Sequence, residues 1–397
     1  LSTPFQSPLE KRIRRHVIAR EHAFFASTCP GLEGVLCEEI KALSISREDT
    51  AASAGGVEFR GFLKEGYLAN LKLRTALRVL MRIGHFKATN FRQLAKKVSS
   101  IPWELFLTPA TVPEARVSTA HSRLHHTEAI GELVIEGVRR RLSEKAPQNE
   151  NPDHAPRARI FVRSVNDRFT LSLDSSGELL YKRGIKTHRA RAPLRETIAA
   201  AGLLLAGYDG SRPLVDPLCG SGTFSLEAAL MVRNMPPGWF REFAFFNWPA
   251  FRPRQWAYLR KETAKGFVSP LQQPCIFASD IDRKVCSILR KTLREIGFSD
   301  TIEVSRADFF RLSPPSFPSG PGIVTINPPY GRRMGGRRQS DILFREICRK
   351  LKKDYRGWTV ALVVPARHLL KEVPFQLHIY PFDHGGLHLM LLIGIIT

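Results

Sequence analysis

The sequence predicts an α/β protein whose C-terminal half is a doubly wound, mostly parallel sheet. Three observations carry this. From about residue 195, short β-branched runs alternate with helical patterns, the texture of successive βαβ units. A glycine turn, "VDPLCGSGTF" at 215–224, joins a strand to a helix. A stiff corner, "NPPYG" at 327–331, leaves another strand.

Composition bounds the partners. The chain has 397 residues, room for two or three domains. Sixty Lys and Arg stand against 37 Asp and Glu, a net charge of +23. That excess points first to nucleic acid, with an anionic membrane surface or plain solubility as alternatives. The six cysteines form no CxxC and no Cys/His metal spacing. They are expected to be reduced, mostly buried thiols of a cytoplasmic protein, and no metal site is expected. No apolar run is long enough to span a bilayer, no secretory segment is expected in the residues given, and Leu1, not being Met, is compatible with a trimmed start.

The elements follow in order. Residues 1–22 are basic, with "EKRIRR", and are expected to be a solvated tail or a helical arm on RNA. "FFASTCPGLEGVLCEEIKAL" (24–43) is strand, turn at Pro30-Gly31, and helix, with Leu32, Val35, Leu36, Ile40 and Leu43 at helical spacing. Residues 67–83 have the period of a second helix, studded with Arg74, Arg78 and Arg82, and a third helix is expected at 126–142. Residues 143–159 have the Pro, Asn and charge content of an interdomain linker. Two alternating strands follow as a hairpin around Asn166-Asp167.

In the second half, 212–216 is a short strand and 223–234 a helix stopped by Pro236-Pro237. A strand at 275–280 precedes a helix at 282–297 with Gly297 past its end. Two strands, a helix at 340–352, a strand at 358–365 and a final hairpin around Gly385-Gly386 complete the pattern.

The glycine turn lacks the third glycine of a dinucleotide fingerprint, since position 225 is Ser, and lacks the Gly-Lys-Ser/Thr of a P-loop. It offers instead an acid at a strand end, Asp216, and amide groups at a helix start. That pair suits an amino-acid head, with Asp216 taking the amine and the N–H groups the carboxylate. S-adenosylmethionine has such a head. Asp280 ends the next strand, where a ribose could place its hydroxyls. The usual distance from glycine turn to ribose acid is about 20 residues, which Glu242 meets better. Glu242 does not end a strand, so Asp280 is preferred and the aromatic-rich 235–270 is taken as an insertion. Asp308 ends a third strand, positioned for an adenine amino group, with Phe309 beside the ring.

The corner then acquires a purpose. Two prolines remove two donors, fix two φ angles and hold Asn327 extended. An exocyclic base amine is a poor nucleophile because its lone pair is delocalised into the ring. The side-chain oxygen of Asn327 and the carbonyl of Pro328 can grip its hydrogens, and Tyr330 can stack on the base for roughly 1–3 kcal/mol.

"APLRETIAAA" (192–201), "DPLCGSGTF" (216–224), "SDID" (279–282) and "NPPYG", in this order, resemble the THUMP-domain RNA guanine-N2 methyltransferases. The likeness is nearest to the first half of the bacterial bifunctional 23S rRNA enzyme. "FFASTCPGLEGVLCEEI" is similar to that family's ferredoxin-like opening, and "LSLDSSGELLYKRGIKTHRARAPLRE" to its join between THUMP and catalytic domains.

The resemblance implies a class I, Rossmann-like methyltransferase domain with a seven-stranded mixed sheet, preceded by an α+β ferredoxin-like and THUMP region. It implies a basic tail at 1–22, a ferredoxin-like part at 23–66, THUMP at 67–175, a connection at 176–190 and catalysis at 191–397. The stretch 143–159 then becomes a loop inside THUMP. S-adenosylmethionine is expected on Asp216, Pro217, Cys219, Gly220, Ser221, Gly222, Thr223, Asp280, Ile281, Asp308 and Phe309. Catalysis is expected from Asn327, Pro328, Pro329 and Tyr330. Arg332, Arg333, Arg337 and Arg338, just after the corner, are either a lid on RNA phosphate or a solvated loop.

The expected substrate is a guanine N2 amine in structured RNA, 23S rRNA first, with tRNA guanine-N2 or adenine-N6 as alternatives. A non-catalytic RNA-binding or assembly factor is the rival of another class. The bifunctional enzymes continue into a second methyltransferase and this sequence stops at 397, so a single activity is expected. No obligate protein partner is inferred.

Overall fold

The computed structural model describes residues 7–44, 50–143, 155–185, 194–315, 317, 320–329, 337–384 and 386–397. The strands form two seven-stranded sheets. The first is built from β1 (His22–Ser27), β2 (Ala51–Ser53), β3 (Gly56–Gly61), β4 (Arg78–Lys87), β5 (Val112–Ala120), β6 (Arg157–Val165) and β7 (Arg168–Asp174). Its order is β2-β3-β1-β4-β7-β6-β5. Helices α1 (Pro8–Ile13), α2 (Glu33–Ala42), α3 (Leu63–Lys72), α4 (Phe91–Ser100) and α5 (Thr127–Ser143) supply buried residues to the same core as the inward strand positions. Those positions alternate, as a half-covered sheet requires: Ala158, Ile160 and Val162 on β6, Phe169, Leu171 and Leu173 on β7.

From Ser7 onward the basic N-terminus is not a solvated tail; residues 1–6 lie outside the described residues. Ser7 caps α1 in a reciprocal capping box with Glu10. Ile13 and Val17, on α1 and the π-helical turn after it, are buried in the first core, and Arg12 pairs with Glu104 at 3.0 Å. Apolar residues four apart inside the basic run are enough to dock it. The expected helix at 67–83 is also corrected. α3 stops at Lys72, Leu73 is extended, and Arg78 onward is strand β4. Sheet pairing on both sides of β4 outweighs the local helical period there. The hairpin at 166–167 forms as expected, with Asn166 at φ 51° and Asp167 at φ 62°, the left-handed pair of a type I′ turn. Residues 144–154 lie outside the described residues. β5 and β6 on either side of them pair in parallel along their length, so the chain does not change sheet at that point.

The second sheet contains β8 (Leu214–Asp216), β9 (Ile276–Asp280), β10 (Ile302–Arg306), β11 (Ile323–Ile326), β12 (Thr359–Val364), β13 (His378–His384) and β14 (Leu387–Ile395). Its order is β10-β9-β8-β11-β12-β14-β13. β10, β9, β8, β11 and β12 are parallel, and β14 runs against β12 and β13. The helices of this half are α6 (Glu196–Leu205), α7 (Thr223–Val232), α8 (Pro253–Ala264), α9 (Arg283–Ile296) and α10 (Arg337–Asp354). α9 is capped by Asp282 and closed by Gly297 at φ 74°, as its sequence predicts.

Two features lock the halves together. The aromatic segment 235–270 leaves the catalytic half and packs into the first core. Phe243, Phe245, Trp248 and Leu259 join that cluster, and Phe245 stacks on Tyr67 of α3 at 4.3 Å. Such ring pairs contribute roughly 0.5–1.5 kcal/mol each beyond area burial. Beside them lies a buried ion pair. Arg183 donates to Glu227 of α7 through Nε at 2.9 Å and Nη2 at 3.2 Å. The same guanidinium also reaches the carbonyls of Leu180 and Arg74 at 2.9 and 2.6 Å. Arg74, from the α3–β4 loop, in turn donates to the carbonyls of Leu230 and Met235.

Candidate active site

The order of the second sheet locates the site. From β8 the chain builds outward through β9 and β10 on one side, then returns to place β11 and β12 on the other. The crevice at such a reversal, beyond the carboxyl ends of the strands, is where open α/β sheets bind ligands. β8 and β11 are neighbours in register, Val215 beside Val324. Asp308, Asp280, Asp216 and Asn327 therefore end, or directly follow, four adjacent strands, spread over about 15 Å at the usual strand spacing.

The glycine turn is more self-satisfied than its sequence implies. Cys219 N–H donates to the Ser279 carbonyl, Gly222 N–H to the Cys219 carbonyl, and Gly220 N–H to Asp280 at 2.9 Å. Three amides of the turn leading into α7 are thus already paired, because a tight turn must pair its own backbone. Ser221 N–H makes no hydrogen bond among the described residues. Gly220 has φ 51°, and a Cβ built there would meet no atom within 4 Å, so the space over the turn is open. Gly222 has φ 74°, and a Cβ there would run into Leu289 of α9. It is required for packing.

Asp216 is buried and accepts from the Ser225 hydroxyl at 2.7 Å and its N–H at 3.3 Å. The serine that breaks the dinucleotide fingerprint therefore fixes the acid at the strand end. Pro217 and Thr223 are buried in the same turn.

Asp280 is half-buried. One oxygen takes Gly220 N–H and the other Asp282 N–H at 2.9 Å, which ties β9 to the turn. Ile281 is 64% exposed, an apolar side chain with no packing need to be there. Asp308 accepts from Phe310 N–H at 3.0 Å and so opens a short 3₁₀ turn. That turn corrects the expectation for Phe309. Its ring is buried 6.1 Å from Tyr355, and Phe310 is the exposed ring instead.

Asn327 follows β11 and is half-buried, and its covered side-chain oxygen has no hydrogen-bond partner among the described residues. An unpaired buried acceptor costs about 1–3 kcal/mol. Groups retained at that cost point to a role outside folding. Pro328 is buried and Pro329 half-buried. Tyr330, Arg332 and Arg333 lie outside the described residues, as does the side chain of Arg337, whose backbone opens α10. Arg338 is exposed on that helix.

Cys219 sits in the turn as a buried thiol. Desolvation, with Asp216 and Asp280 acting in the same direction, holds its pKa well above the ordinary value. It stays protonated at neutral pH and is no nucleophile. Cys219→Ala is expected to retain methyl transfer; a covalent adduct trapped at Cys219 in the unmodified protein would contradict this. All six cysteines are free. Among the described residues, no His, Cys, Asp and Glu cluster could hold a metal, and no helix is long and apolar enough to cross a membrane.

Comparison with known proteins agrees with this architecture. Residues 183–374 match the model of the RMKL-like methyltransferase domain, and residues 23–80 that of the RlmL ferredoxin-like domain. A Synechocystis protein carrying the name "Putative RNA methyltransferase slr0064" is 31% identical over 94% of this chain and 97% of its own length. The chain belongs to the RMKL-like methyltransferase family. A family relative from Syntrophotalea carbinolica, named "Ribosomal RNA large subunit methyltransferase K/L", is 34% identical over 93% of this chain. The chain spans only 53% of that relative's length.

The solved structure of SMU.472 complexed with SAH superposes with a TM-score of 0.83 at 26% identity, covering 95% of this chain and 99% of that one. The family fold is that of a class I methyltransferase, and the cofactor is S-adenosylmethionine. The open space over Gly220, the Ser221 N–H and the exposed Ile281 fit such a group.

Sequence reasoning missed Ser225, Phe310 and the Arg183–Glu227 pair. The departure from the glycine fingerprint at 225 was a usable signal for the first. Nothing in sequence distinguishes Phe309 from Phe310.

Proposed function

We propose that this protein transfers a methyl group to the exocyclic N2 amine of a guanine in structured RNA, with large-subunit ribosomal RNA the first candidate. The observation that carries the reading is the Asn327 side-chain oxygen, unpaired among the described residues, at the end of β11, whose neighbour β8 enters the proposed cofactor turn. Bound S-adenosylmethionine supplies an electrophilic methyl on a sulfonium. The residues proposed to hold it are Asp216, Pro217, Cys219 to Thr223, Asp280, Ile281 and Asp308, with Phe309 contributing backbone only.

Asn327 Oδ1 and the Pro328 carbonyl accept the two amine hydrogens, which concentrates the nitrogen lone pair on the side facing the methyl. Tyr330 stacks on the base, and Pro329 keeps the corner rigid. Fixed approach, rather than a strong base, supplies most of the acceleration. The RNA substrate is supported by the +23 charge and by the relatives' names. On this reading residues 67–175 act as a THUMP domain, with 23–66 ferredoxin-like, 176–190 connecting and 191–397 catalytic. Arg332, Arg333, Arg337 and Arg338 remain proposed phosphate contacts, and the cytoplasm the proposed compartment.

The test is to methylate deproteinised ribosomal RNA with labelled cofactor, digest it and identify the product. N2-methylguanosine is expected, and N6-methyladenosine would overturn the guanine assignment. A calorimetric titration with S-adenosylmethionine separates an enzyme from a non-catalytic assembly factor, which would show no binding.

A further inference from the structure

The strand that ends at Asn327 has a neighbour on each side. β8 carries the glycine turn, and the strands of Asp280 and Asp308 lie beyond it, so the proposed cofactor fills that side of the crevice. A base that offers its amine to Asn327 then lies on the β12 side. A wall of two pieces stands there. β12 pairs in parallel with β11 as far as Ile326 beside Leu362, and runs two residues further, to Val364. A 3₁₀ turn, Arg367–Glu372, follows it. The first helix after the catalytic corner, α10, packs against that turn.

A polar contact joins the two pieces near the start of α10. His368 of the turn lies 2.9 Å from Asp341 of the helix, Nε2 to Oδ2. A carboxylate only accepts, so Nε2 carries the proton, and the bond fixes both tautomer and ring orientation. Docking of the pieces does not need this pair. Phe344 and Ile347 of α10 and Leu369 of the turn are buried in one core, and Arg345 pairs with Glu372 at 3.2 Å one helical turn further along. Asp341 is 19% and His368 33% exposed. A pair so placed contributes roughly 0–1 kcal/mol to stability. It adds little to docking and stands at the rim of the crevice, which suits it to orienting what enters.

We propose that His368 and Asp341 are positioning residues. Together they set the wall against which the target base is held, and through it the approach of the amine to Asn327 and the methyl group. The inference rests on the reading that Asn327 grips a base amine. The pair acts through the wall, touches no reacting atom and takes up no proton in the reaction.

The test is single-turnover methyl transfer from labelled S-adenosylmethionine to deproteinised large-subunit ribosomal RNA, both saturating. His368→Ala and Asp341→Ala are each expected to lower the rate at least about tenfold, since a misplacement of about 1 Å costs on the order of 10²-fold. Affinity for RNA should stay within about threefold, because phosphate contacts set most of it. Cofactor affinity should not change, since the cofactor residues stand on the other side of β11. Tm should fall by less than about 4 °C. The double alanine variant should be no slower than either single one, because the two residues act as a unit. His368→Gln, whose amide nitrogen reaches the place of Nε2, should recover at least about a third of the wild-type rate. Arg345→Gln cuts the other tie between the same two pieces and should stay within about threefold of wild type.

The inference is overturned if His368→Ala keeps the wild-type rate, if Arg345→Gln loses as much, or if the two alanine effects multiply in the double variant. It is also overturned if His368→Gln is as slow as His368→Ala, which would assign proton transfer to the imidazole. A wild type that methylates no RNA removes the Asn327 reading and this inference with it. That is a different failure from an active wild type matched by His368→Ala.

Discussion

Asn327→Ala is expected to lower the methylation rate by at least about 10²–10³-fold, the loss seen when one positioned catalytic dipole is removed. The substitution deletes the acceptor at the end of β11 and leaves β11 itself unchanged, since strand pairing there uses backbone groups. Folding should gain slightly, because a buried oxygen with no partner among the described residues disappears. Cofactor affinity should stay near wild type, because Asp216, Asp280 and Asp308 stand on other strands. Single-turnover methylation and a calorimetric titration on the same preparation check both halves. If the alanine variant methylates at more than a tenth of the wild-type rate, the amine-gripping role is wrong. If it loses cofactor binding as well, Asn327 belongs to the cofactor site.

Glu227→Ala is expected to produce the largest loss of stability. It leaves the Arg183 guanidinium, 3% exposed, without its anion in a site water does not reach. Removing one partner of a buried pair costs about 3–5 kcal/mol. For a domain of this size that shift is on the order of 10 °C in Tm. The consequence reaches the active site, because Glu227 sits one helical turn along α7 from the glycine turn, on the helix that carries Ser225 and so holds Asp216. Cofactor affinity should therefore fall with stability.

The double variant Arg183→Met/Glu227→Leu separates charge from packing. Replacing both charges with apolar groups of similar volume is often neutral, so it should recover most of the lost Tm. A double variant as unstable as Glu227→Ala would show that the carbonyl contacts of Arg183, and not its charge pairing, hold the joint.

The catalytic half was largely legible in the chain. β8, β11 and β12 are short buried runs, α9 carries an N-cap and a glycine stop, and Asp216 and Asp280 fall at strand ends. Each of those is a local property. The places where reading failed are places where a distant partner outweighed local pattern. The stretch 67–83 has a helical period, yet β1 and β7 recruit its second half into a sheet. The N-terminal basic run looks solvated, yet Ile13 and Val17 find a core to enter. Phe309 and Phe310 are the same residue type one position apart, and only the 3₁₀ turn fixed by Asp308 decides which ring is buried.

By itself the sequence determined the parallel strand–helix texture of the second half, the glycine turn after β8 and the proline pair after β11, because turn chemistry, proline and glycine act over a few residues. Tertiary structure alone decided three things. It brought Asn327 next to the Asp216 strand, it sent the aromatic insertion into the neighbouring core, and it set Arg116, Arg163 and Arg168, without an ion pair among the described residues, on one face of the first sheet. All three depend on strand order and register, and those are settled by pairing between segments far apart in the chain.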